Sequence, residues 1–110
     1  MEFTEAEKIA MASVLYNLAH IDFRQKQEER GFYDECLKEL QLDSEQFQPM
    51  TKEQIYAGAY DTIKRMDKEK KRAFSLMMTK MSRSDGRFGA RERDFVMEIL
   101  DMCDLPFVHR

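Results

Sequence analysis

Displaced by 63 residues, this 110-residue chain falls onto itself. Met11, Val14, Leu15 and Leu18 land on Phe74, Met77, Met78 and Met81, while Phe32, Leu37 and Leu42 land on Phe95, Leu100 and Leu105. The polar junctions coincide as well: Asp22 with Asp85, Arg24 with Arg87, Glu29 with Glu92 and Arg30 with Arg93. Any two amphipathic helices share a period, but that alone does not give them the same Asp-x6-Glu-Arg junction. The self-match predicts two helical hairpins, at about 4–42 and 67–105, related by a pseudo-two-fold with a connecting helix at about 51–66 between them.

The period within each segment is helical throughout. Thr4 followed by Glu7 has capping-box spacing, in which hydroxyl and carboxylate each satisfy an orphan amide at a helix start. The stripe Met11, Val14, Leu15, Leu18 follows and ends near 19–22, and Phe32, Tyr33, Cys36, Leu37 and Leu40 predict a second helix over about Gln27 to Gln41. Turn and cap residues from Leu42 to Pro49 make the main connector. Thr51 caps a third helix whose stripe is Ile55, Ala59, Ile63 and Met66, flanked by Tyr56 and Tyr60. Asp67 restarts the pattern: Phe74, Met77, Met78 and Met81 mark a fourth helix, and Phe95, Val96, Ile99, Leu100 and Cys103 a fifth, which Pro106 stops. No segment alternates with period two for the length of a strand, so the expectation is an all-α bundle of about five helices. With 43% hydrophobic and 35% charged residues, 4 Gly and 2 Pro, the composition is that of one globular domain able to bury a core without disulfides or structural metal.

Charge and cysteine content exclude several functions. A net charge of -3 argues against a dedicated nucleic-acid binder. Two cysteines cannot make a zinc site, and at apolar helical positions Cys36 and Cys103 read as small hydrophobes in a reducing compartment. The residues from Met1 to Glu5 lack the basic and apolar regions of a secretory leader, and no apolar run approaches the ~18 residues a bilayer requires. The expectation is a cytoplasmic protein with no direct membrane insertion.

Leu-Ala-His-Ile-Asp at 18–22 with Glu29, and Ser-Asp-Gly-Arg-Phe at 84–88 with Glu92, followed by an apolar helix ending in Cys-Asp-Leu-Pro, resemble the tellurite-resistance TerB-like domains over nearly the whole chain. The second copy is the more typical; the first has Asp22-Phe23 in place of Asp-Gly. The resemblance implies a duplicated all-helical bundle, bacterial and cytoplasmic, in proteins linked to tellurite or other stress, with acidic residues proposed to meet divalent cations. It supplies no substrate.

Asp22, Glu29, Asp85 and Glu92 are the candidate metal ligands. If the hairpins pack antiparallel about the pseudo-two-fold, the four carboxylates converge, and hard oxygen ligands suit Ca²⁺ or Mg²⁺. The alternative is structural: each Asp caps its loop, and each Glu sits at the positive end of a helix dipole beside Arg24 or Arg87. An EF-hand is excluded, because from Asp85 its third and fifth positions are Arg87 and Gly89. Gly86 and Gly89 lack the Lys-Ser/Thr of a phosphate loop, and His20 and His109 have no partner at helical spacing, so no catalytic site is expected. Two interaction surfaces stay open: an anionic-partner patch on Lys64, Arg65 and Lys68 to Arg72, and a Met-rich groove beside Phe74 with Tyr56 and Tyr60 at its edge. The expected function is a non-enzymatic module that binds a divalent cation and acts through a protein partner; a metal-free adaptor and a binder of anionic partners are the alternatives.

Overall fold

The computed structural model describes residues 2–20, 27–43, 45–82 and 90–106, with the backbone alone at 27–32, 81–82 and 92. These residues form five helices: α1 (Glu5–Ala19), α2 (Gln27–Glu39), α3 (52–64), α4 (Lys68–Ser82) and α5 (Ala90–Met102). Among the described residues there is no strand. The bounds of α4 and α5 are those of α1 and α2 displaced by the same 63 residues that align the sequence.

The helix ends repeat with the bounds. Thr4 Oγ1 accepts the Glu7 amide at 3.1 Å at the start of α1, with the reciprocal Glu7 carboxylate completing the capping box, and Asp67 Oδ1 accepts the Lys70 amide at 2.9 Å at the start of α4. Both second helices close on a Schellman motif. Gln41 (φ 60°) and Asp104 (φ 53°) turn left-handed, so the Leu42 amide donates to the Leu37 carbonyl at 2.8 Å and the Leu105 amide to the Leu100 carbonyl at 2.9 Å. Neither position is glycine, so both turns bear the steric cost of a side chain at positive φ. The left-handed turn ends α2 at Glu39, two residues short of the expected Gln41.

α3 has no counterpart in the repeat. It starts on a second capping box, Thr51 with Gln54, and contains a π turn over Ile55–Ala59, in which the Tyr60 amide reaches back five residues to the Ile55 carbonyl. The wider turn keeps Ile55, Ala59, Tyr60 and Ile63 all buried along one side of the helix.

α1 is the axis of the bundle and touches each of the other four helices. The single stripe expected for it is therefore too narrow: Ala10, Ala12, Ser13 and Ala19 are buried along with Met11, Val14, Leu15 and Leu18. Small side chains make this enclosure possible, since helices approach closely only where little projects between them. α4 packs against α1, α2 packs against both α1 and α4, and α5 does the same from the other side. Positions paired by the offset meet directly: Lys70 Nζ lies 2.9 Å from Glu7 Oε1, and these two residues are 63 apart. Each keeps only 15–17% of its side chain exposed. The core pairs repeat too, with Met11 and Phe74, Leu15 and Met78, Tyr33 and Val96, Cys36 and Ile99, and Leu40 and Cys103 all buried. No helix among the described residues is long and apolar enough to cross a membrane.

Candidate functional site

The 63-residue offset pairs two seams. One lies between α1 and α5, the other between α4 and α2, and two of their residues are identical at equivalent positions: Ala10 and Ala73, Glu98 and Glu35. The seams differ in what covers them.

α3 covers the α1–α5 seam. The Met50 amide donates to Ser13 Oγ at 3.0 Å, pinning the start of α3 to α1. Tyr56 and Tyr60 both donate their hydroxyls to Glu98 Oε2, at 2.8 and 3.2 Å, with their rings edge to face at 5.3 Å. Tyr56 is 53% exposed whereas Tyr60 is buried. The tyrosine pair expected at the edge of a groove is thus divided, with only Tyr56 on the surface. The hydrogen bond to Glu98 raises the Tyr56 phenol above its ordinary range, and burial, followed by the Glu98 charge, does so for Tyr60. At the open end of this seam, Asn17, His20, Lys52, Tyr56, Arg91 and Asp94 line a polar recess. His20 is the C-cap of α1, as its position suggests; its ring donates from Nδ1 to the Tyr16 carbonyl at 2.8 Å and stacks on Tyr16 at 4.1 Å. No element of the described structure lies over the α4–α2 seam as α3 lies over its counterpart, and Ala73, Leu76 and Met77 are half-exposed there. They line a concavity of about 340 Å³ with Cys36, Glu35, Glu39, Lys80 and Phe3.

Of the four candidate metal ligands, Asp22 and Asp85 lie outside the described residues. Glu29 and Glu92 are each the third residue of their helix, α2 and α5, and their side chains also lie outside the description. Among the described residues no three His, Cys, Asp or Glu side chains are grouped to hold a metal ion. His109 likewise falls outside. Cys36 and Cys103 are buried and unpaired with each other, and burial pushes both thiols up to about 12, so neither is a thiolate at neutral pH.

The basic segment is partly engaged within the fold. Lys70 pairs with Glu7, Lys71 Nζ comes within 3.9 Å of Asp104, and Arg65 pairs with Asp61 at 3.0 Å. Lys64, Lys68 and Arg72 are left exposed. Met78 is fully buried and Met77 half-buried, so the methionines of α4 belong partly to the core and partly to the open seam. The residues that define the seams, Glu98 and its equivalent Glu35, carried no motif; their signal was identity across the 63-residue offset.

The fold defines a class, an all-α bundle of five helices. Compared with protein-family models, with curated proteins and with solved structures, the chain matches none.

Proposed function

We propose that the chain is a duplicated, TerB-like helical module of the bacterial cytoplasm, non-enzymatic and stress-related, that binds Ca²⁺ or Mg²⁺ through Asp22, Glu29, Asp85 and Glu92 and acts through a protein partner. The observation that supports this reading is the common register of the two hairpins: both Glu residues stand third in their helices, and both Asp residues stand in junctions that join helices of matching bounds. Oxygen ligands supplied twice by one repeated unit suit a hard cation. Calorimetry and amide chemical shifts under Ca²⁺, Mg²⁺ and Mn²⁺ titration test it. Saturable binding that Asp85→Asn and Glu92→Gln abolish is the expected result; the absence of any shift at millimolar ion overturns it.

A metal-free protein-interaction adaptor is the second reading, favoured by the half-exposed apolar residues of the α4–α2 seam. In it, Glu29 and Glu92 serve the helix dipole alone. Under this reading the cation titration is silent.

A further inference from the structure

We propose that the α4–α2 seam is the docking site for an amphipathic helix of a partner protein, held as α3 is held in the equivalent seam of the same molecule. The proposal stands on the seam and needs no cation at the junctions.

The argument is a comparison of equivalent residues. On α1, Ala10, Ser13 and Val14 are 2%, 0% and 0% exposed. Displaced by 63 residues they become Ala73, Leu76 and Met77, all half-exposed. The two helices share their bounds and their contacts with α2 and α5, so their position in the bundle does not explain the difference. α3 does: it lies on α1 and reaches α5, and among the described residues no helix covers α4 in the same way. Leaving Leu76 and Met77 partly in water forgoes apolar burial that a covering helix supplies. Ala73 contributes further apolar surface to the concavity, and Cys36 and Phe3 complete its lining.

The resident helix indicates the chemistry of the missing one. α3 brings Ile55, Ala59 and Ile63 inward at four-residue spacing and offers phenol hydroxyls to Glu98. In the open seam Glu35 occupies the position of Glu98 and is exposed, with Glu39 one turn further along α2. Lys80, on α4, replaces Asn17. The complementary ligand is therefore a helix with small or branched apolar residues every fourth position. Hydroxyl or ammonium donors face the α2 wall and a carboxylate faces Lys80.

A peptide of residues 51–66, the sequence of the resident helix, is the probe, titrated into the ¹⁵N-labelled full chain. The expected result is saturable amide shifts centred on Cys36, Ala73, Leu76, Met77 and Lys80, weakened roughly ten-fold or more by Leu76→Glu in the chain. If Leu76→Glu alters the thermal melt, Glu35→Lys and Lys80→Glu, both at exposed positions, are read in its place. Three results overturn the proposal. One is no shift at millimolar peptide. Another is shifts centred on Ser13, Asn17 and Glu98, which mean the peptide has displaced α3. The last is concentration-dependent shifts at the seam without peptide, which assign it to a second copy of the chain. Failure of the cation titration leaves all these readouts unchanged, so the two ideas fail separately.

Discussion

α1 and α4 occupy equivalent places in the two halves, start and stop at equivalent residues and meet through Glu7 and Lys70, yet one is enclosed and the other has an open flank. The side chains record the difference. Where the start of α3 is pinned, α1 presents Ser13, with Asn17 at the recess beyond; the same two positions on α4 are Leu76 and Lys80. A helix that must accept a neighbour at short range carries small residues there, whereas one that meets solvent carries long ones. Repeating a backbone does not repeat its environment. A single unrepeated helix is enough to divide two matched seams into one that is core and one that is surface.

The largest test of this contrast is a matched pair of charges. Ala10→Glu places a carboxylate at a buried position of α1 and is expected to cost about 3–5 kcal/mol in urea unfolding, whereas Ala73→Glu, at the open seam, stays within about 1 kcal/mol. Equal costs would remove the distinction between the seams. A smaller contrast lies in two buried serines. Ser13→Ala strips the Met50 amide of its acceptor and is expected to cost about 1–2 kcal/mol. Ser75 is buried with no hydrogen-bond partner for its Oγ among the described residues, so Ser75→Ala should be neutral or stabilising in the same melts.

The smallest effect concerns what the halves share. Burial raises the Glu7 carboxyl, but the Lys70 ammonium and the Thr4 amide outweigh it and hold the group below the ordinary glutamate range. A depressed carboxyl contributes stability above its unfolded value and loses it as pH falls through the folded one. As pH falls through the acid range the wild type should therefore lose slightly more stability than Glu7→Gln, a substitution that keeps the cap but not the charge. Parallel pH profiles for the two proteins would show that the pair contributes nothing between α1 and α4.

Much of this architecture was legible in the sequence because it rests on local rules. Thr4 with Glu7, and the spacing of Met11, Val14, Leu15 and Leu18, depend on nothing outside their own helix. The enclosure of α1 was not legible from its stripe, because it depends on α3 arriving from elsewhere in the chain; the trace it left was the run Ala10, Ala12, Ser13 and Ala19. The burial of Tyr60 has a related cause. The π turn rotates it inward onto Glu98, and no residue pattern announces a five-residue hydrogen bond. Of the acidic junctions, the sequence displays the repetition and the fold gives both Glu residues the same helical position, while Asp22 and Asp85 lie outside the described residues.

The packing of each second helix against both first helices has a kinetic consequence. Although every helix can begin from local signals, α2 completes its packing only when α4, some thirty residues later, has been made, and α5 completes its own only by returning to α1. A ribosome that has released only the first hairpin and α3 holds a chain with one face of α2 still bare. The domain should therefore form late and all at once, in a single cooperative step, rather than hairpin by hairpin.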